Sequence, residues 1–281
     1  MVGTSTRLAG MAIVAASVAF GGVAAKADEF INVLTGGTSG VYYPLGVGLS
    51  KIYADKIPGA RTQVQSTKAS VENLNLLQQG KGEIALALGD SVKLAWEGNA
   101  DAGFKAPLDK LRGIAAVYPN YIQIVASKES GITSLASLQG KSISVELIKN
   151  RQLDATLQSA GLGVASIKDL STSLDVTMVE VPEDVVTKLG APYISATIPA
   201  GTYNGQATDV KTVAVVNFLV THSDVSDETA YQMTKQLFEN LDTLEAAHKA
   251  AAQIKLENAL KGMPVPLHPG AERFYKEKGL L

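Results

Sequence analysis

The sequence predicts an α/β protein of two lobes, and three observations carry that expectation. Short apolar or β-branched runs alternate with amphipathic segments over residues 28–117, the pattern of parallel or mixed sheets flanked by helices. Turns rich in Gly, Ser and Thr stand where strands pass into helices. A strand-like run at 210–219 follows a middle stretch with strands and helices of its own, so the chain leaves one lobe and returns to it. Two connections of this kind make a hinge.

In order, the first lobe takes 28–117 and about 215–281. Its strands are expected near 30–34, 62–65, 84–88 and 111–117, and its helices near 41–55, 70–79 and 91–97. Gly80-Lys81-Gly82 closes the second of these helices. Tyr118-Pro119-Asn120-Tyr121 marks the crossing into the second lobe, 118–214. There the expected elements are strands at 122–127, 142–145, 154–157, 177–181 and 193–198, with helices at 135–138, 164–170 and 183–188 and a loop at 158–163. After the return, helices are expected at 227–240, 244–252 and 271–278.

The candidate site lies in the loops at strand ends. Thr35-Gly36-Gly37-Thr38-Ser39-Gly40 follows the first strand, and Ser66-Thr67-Lys68-Ala69-Ser70 follows the second. Each runs into a helix, whose first turn carries unpaired N–H groups and partial positive charge suited to a carboxylate. Both are also what ordinary capped βα turns look like, with Ser and Thr as N-caps. Two in succession, followed directly by Tyr42-Tyr43-Pro44, favour binding. Gly37, Thr38, Ser39 and Gly40 are the expected contacts of the first loop, and Ser66, Thr67 and Ser70 those of the second. Asn73, the third loop's Asp90 and Ser91, and the tyrosines Tyr42, Tyr43 and Tyr121 would read the rest of the ligand. Asp90 also suits a helix cap. Ala160 and Gly161 are the expected contacts from the second lobe. Lys68 is expected to point outward, because an unpaired buried ammonium is costly.

Composition narrows the function. With 281 residues, 46% hydrophobic and 19% charged, the chain builds a substantial core. A net charge of −2 leaves no electrostatic footprint for nucleic acid. Cysteine is absent, which removes thiol chemistry. The three histidines fall in the C-terminal part of the chain, away from the glycine and serine loops in sequence. His268 and Glu272 alone do not make a metal site, and a lone histidine there reads as a cap. No nucleophile elbow, P-loop or dinucleotide fingerprint occurs. The expectation is therefore no enzyme, no metal and no cofactor. Residues 1–27 read as a signal peptide, with Arg7, an Ala- and Gly-rich apolar stretch and Ala25-Lys26-Ala27 as the cleavage pattern. The rival reading is an uncleaved anchor, since the apolar run approaches the roughly 20 residues of a span.

TGGTSGVYYPLG, QSTKASVENLNLL and LALGDSVKLAWEG resemble the first lobe of TAXI-type solute receptors of TRAP transporters, and the resemblance returns in IPAGTYNGQATDVKTVAV and PLHPGAERFYKEKGL. It implies a two-lobed type II periplasmic binding protein fold, a monomer in the periplasm, and capture of a small organic acid or amino acid, glutamate-like, for a TRAP-type membrane permease. The chain departs from that pattern after Val145, where Glu146 runs directly into Leu147 and the residues that follow. A crossover between parallel neighbours needs a dozen or more residues, so either the flanking strands are not parallel neighbours or the second lobe is shortened by a βα unit. Loss of that unit would remove a helix N-terminus opposite the glycine loop. The alternative function is then a degenerate receptor that only docks a partner.

Overall fold

The computed structural model describes residues 29–141 and 154–281. The expected leader at 1–27, the strand at 142–145 and the junction after Val145 lie outside the described residues. In chain order the elements are β1 (Glu29–Leu34), α1 (Tyr42–Lys56), β2 (Ala60–Gln65), α2 (Ser70–Gln78), β3 (Ile84–Leu88), α3 (Gly89–Glu97) and β4 (Leu111–Ser127). The middle of the chain gives β5 (Ala155–Ala160), α4 (Ala165–Ser173), β6 (Val176–Val179), α5 (Glu183–Leu189) and β7 (Tyr193–Ile198). β8 (Val210–His222), α6 (Asp227–Glu239), α7 (Leu241–Ala247) and α8 (Pro269–Glu277) complete it, with short 3-10 turns at Lys249–Gln253 and Leu256–Asn258.

The first lobe's sheet has the order β2-β1-β3-β8-β4. β1 is parallel to both β2 and β3, as strands linked by crossover helices are. β8 is antiparallel to β3 on one edge and to β4 on the other. The sheet is buried on both faces. One face, with Ile31, Val33 and Leu86, packs on α1, α6 and α8. The other, with Leu34, Ala85 and Ala87, packs on α2 and α3. α1 sits close to β1 because Gly46 has no side chain, since a Cβ there would lie 2.2 Å from Thr35 Cγ2.

β4 and β8 run from the first lobe into the second, where β5 and β6 pair antiparallel with β4, and β7 pairs antiparallel with β8. The eight strands thus form one continuous sheet, and two smaller apolar clusters, one around Ile124 and Val186 and one around Val125 and Ile167, cover its second-lobe part. The sequence reading expected separate strands at 111–117 and 122–127 with a crossing turn between them. Instead β4 is continuous, and the crossing is a register shift between Ala116 and Pro119. A bulge accommodates proline, which has no N–H to give the ladder. β5 likewise extends through Ala160, so the expected loop at 158–163 starts later. The expected helix at 244–252 breaks at His248. His268 caps α8, its Nδ1 accepting from Gly270 N at 3.2 Å.

Candidate functional site

A cleft of about 910 Å³ opens between the lobes. Three chain regions supply most of its lining, with Leu88, Tyr118 and Asn120 between them. The first is the turn Gly36–Tyr42 with Ala69 and Ser70, the second is Ser159–Ala165, and the third is His248–Ala250 with Gln253. α1 and α2 therefore present their first turns from one lobe, and α4 presents its first turn from the other. None of the three helices has a side-chain N-cap. Their leading N–H groups are the kind that a ligand's oxygens satisfy.

The glycine turn is held from behind. Thr35 is buried, and its hydroxyl donates to Gln65 O at 2.8 Å. Thr35 O accepts from Asn73 Nδ2 at 2.6 Å and lies 2.9 Å from the Thr67 hydroxyl. Ser66 Oγ donates to Gly36 O at 2.9 Å. Asn73 Nδ2 also donates to Leu86 O at 2.8 Å, tying α2 to β3. Ser66, Thr67 and Asn73 do not line the cleft, and their polar atoms bind the two loops to each other. Gly37, Thr38, Ser39 and Gly40 are left exposed on the cleft side.

Ser70 lines the cleft and is buried, its hydroxyl accepting from Leu88 N at 3.0 Å. The residue before it, Ala69, has φ 66° and ψ −147°, a backbone conformation that L-residues seldom adopt. Lys68 is exposed and outside the cleft lining, with its N–H donating to Glu72 Oε2 at 2.6 Å.

Tyr42 lines the cleft with its ring and gives its hydroxyl proton to Asn217 Oδ1. Asn217 Nδ2 donates in turn to Tyr118 O at 2.9 Å and Asn120 Oδ1 at 3.1 Å. Burial drives the Tyr42 phenol upward, so it stays a neutral donor. Tyr42 and Tyr118 pack edge to face, 6.5 Å between centroids. The start of α1 is thereby fastened to both strands that cross between the lobes. Tyr43 and Tyr121, expected as walls, are half-buried and do not line the cleft.

Asp90 and Ser91 also stand outside the cleft lining. α3 begins at Gly89, so neither residue caps it. Asp90 Oδ2 instead accepts from the Tyr193 hydroxyl across the lobes at 3.2 Å, and Lys93 Nζ reaches Ala191 O at 3.4 Å. Gly89 permits this approach, because a Cβ there would lie 2.7 Å from Phe218 Cε2 and 3.1 Å from Pro192 Cβ.

In the second lobe, Ala160 and Gly161 both line the cleft, with the α4 first turn beside them. Gln123 fixes this turn from beneath: its Nε2 donates to Ala160 O at 3.1 Å and Gly161 O at 3.3 Å. Tyr203 donates to Gln123 Oε1 and accepts from Gly163 N at 3.0 Å.

The third wall was not anticipated. EAAHKAAAQ reads as unbroken helix, yet α7 stops and His248 Nδ1 accepts from Ala250 N at 3.1 Å, which turns His248 and Lys249 into the cleft. Burial, with Lys249 beside it, holds the His248 imidazole below its ordinary range. Lys249 is the only formally charged side chain among the described cleft-lining residues, and no carboxylate is among them.

The profile of the NMT1-like family matches this chain over residues 33–146 and 144–279. Among solved structures, the periplasmic binding protein BugD superposes with a TM-score of 0.50 at 10% identity, covering 91% of this chain and 95% of BugD. A TctC solute-binding protein from Polaromonas, solved with no ligand, gives a TM-score of 0.50 at 14% identity, covering 90% of this chain and 97% of its own. At such identities the likeness is one of fold.

Proposed function

We propose that this chain, which belongs to the NMT1-like family, is an extracytoplasmic solute receptor that captures a small organic anion between its lobes. The observation that carries the reading is the make-up of the cleft. Three uncapped helix starts, from both lobes, meet beside one lysine and no carboxylate. Each helix terminus favours a negative charge by about 0.3–1 kcal/mol, more when partly buried. The ligand's carboxylate lies on the amides of Gly37–Gly40 and the first turns of α1 and α2, with Thr38, Ser39 and Ser70 around it. Lys249 neutralises it, and the β5–α4 turn closes from the other side.

Capture by closure needs a hinge, and β4 and β8 supply two continuous connections between the lobes. The bound form presents a changed surface to a membrane permease, of TRAP type if the TAXI-like motifs are the guide. The reading places the receptor in the periplasm as a monomer. The α4 first turn speaks for capture rather than for docking alone, because it supplies an opposing helix start within the shortened second lobe. The two family matches meet at residues 144–146, which supports a shortening after Val145.

Calorimetric titration with a panel of mono- and dicarboxylates and amino acids, glutamate included, tests the proposal. At least one anionic compound is expected to bind, and Lys249→Gln is expected to weaken it about tenfold, close to 1.4 kcal/mol. Binding confined to cationic or neutral solutes, or indifferent to Lys249→Gln, would overturn it.

A further inference from the structure

A second cavity, of about 580 Å³, lies between the lobes and shares only Tyr118 and Gln253 with the cleft. Its lining is mostly apolar toward β4, β8 and the second lobe, where Tyr118, Thr187, Tyr193 and Ser195 add hydroxyls, and is charged only at the C-terminal segment. β4 and β8 contribute Val117, Pro119 and Val216, and the second lobe contributes Val186, Pro192 and Ile194. The opposite wall comes from the C-terminal segment of the first lobe and carries Gln253, Asn258 and Lys261. Lys261 Nζ donates to Asn258 Oδ1 at 2.6 Å, which holds the ammonium on that wall. Lys261 is the only formally charged side chain among the described lining residues, again with no carboxylate. Ile194 is 44% exposed here, a large apolar side chain without cover.

We infer that this cavity is a second binding site, for an apolar monocarboxylic acid of medium-chain or arylalkyl type. An occupant of that kind covers Ile194 and its apolar neighbours with its tail and sets its carboxylate at Lys261 and Asn258. The volume falls within the range of small-molecule pockets, roughly 300–1,000 Å³. A dicarboxylate or a zwitterion would leave a second charge without a charged partner, because Lys261 is the only formally charged side chain among the described lining residues. The occupant differs in class from the cleft ligand, and it touches both lobes beside the strands that join them.

The test uses the full chain, with octanoate as the probe and octanamide as its uncharged counterpart, by calorimetry and saturation-transfer NMR. Octanoate is expected to bind about tenfold more tightly than octanamide, the scale of one charge-assisted contact. Lys261→Gln is expected to remove that preference and leave octanamide unchanged. Ile194→Glu sits on an exposed position and places a carboxylate in the cavity, so it abolishes octanoate binding without threatening the fold. Lys249→Gln, in the separate cleft, leaves octanoate affinity as it was. Failure of octanoate to bind at millimolar concentration overturns the inference. So does binding that Lys249→Gln abolishes and Ile194→Glu does not, which would assign octanoate to the cleft.

Discussion

Ala69 is the sharpest place to test how the loops are built. It precedes α2, lines the cleft, and holds φ 66° and ψ −147°. Its neighbours fix that geometry: Ala69 N donates to Thr67 Oγ1 at 2.9 Å, and Ala69 O accepts from Asn73 N at 3.0 Å. An L-residue in so sparsely populated a region stores about 1–3 kcal/mol. Ala69→Gly releases that strain. Against it stand the greater freedom of glycine in the unfolded chain, about 0.4–1 kcal/mol, and part of a methyl group's burial, about 0.4 kcal/mol for a half-buried site. The midpoints leave Ala69→Gly more stable by about 1 kcal/mol, or roughly 2–4 °C in Tm for a chain of this size. Urea unfolding followed by circular dichroism measures it, with the slope unchanged if only stability shifts. Ala69→Val, with a branched Cβ in the same conformation, is expected to lose stability. A fall in the Ala69→Gly midpoint, as alanine-to-glycine changes ordinarily give, would refute the argument that this turn is strained.

Two further outcomes follow from the buried polar groups. Asn73→Ala removes both amide bonds that tie Thr35 O and Leu86 O together and is expected to cost about 2 kcal/mol, since Leu86 O loses its side-chain donor and Thr35 O keeps only the Thr67 hydroxyl; urea midpoints within a few tenths of the parent would contradict that role. His222, His248 and His268 are each held below the ordinary imidazole value of 6.5, chiefly by burial. A depressed folded value means the unfolded chain binds protons first, so this stability is whole above pH 6.5 and is lost as pH falls below it. The carboxylates with lowered values, Asp55, Asp184 and Asp224, are exposed and titrate lower still. Urea midpoints should therefore already decline between about pH 6.5 and 5, and a flat profile there would exclude the histidines as its source.

The first lobe was legible because its signals are local. A β-branched or apolar run, a Gly- or Ser-rich turn and an amphipathic helix follow one another within about thirty residues, which is the length of a βαβ unit. Element positions in that lobe consequently agree with the expected ones to within a residue or two at most ends. What each polar side chain of the loops does is a different kind of question. Ser66, Thr67 and Asn73 look from sequence like ligand contacts on a par with Thr38 and Ser39, yet their polar atoms face the other loop. The strand pairing of β1 with β2 sets the two turns side by side, and each turn then becomes the other's hydrogen-bond partner. Asp90 shows the same limit across lobes, since its partner Tyr193 is brought to it only when β3 and β7 meet on one edge of β8.

The wall formed by His248 and Lys249 lacked any local signal, because an alanine-rich stretch without Gly or Pro promises continued helix. At the break His248 supplies its own cap, Nδ1 accepting from Ala250 N, and Leu244, Ala251 and Ile254 on either side of it are buried in one core. In the second lobe the strand expected at 142–145 and its junction lie outside the described residues, and the described part is organised by β5. β5 lies antiparallel to β4, pairing Tyr121 with Ala160 through Ala126 with Ala155. That register carries the end of β5 to the cleft, and the turn after it starts α4 facing the glycine loop. The second lobe thus supplies an opposing helix start, supported by Gln123 and Tyr203, which is the geometry that the proposed enclosure of an anion calls for.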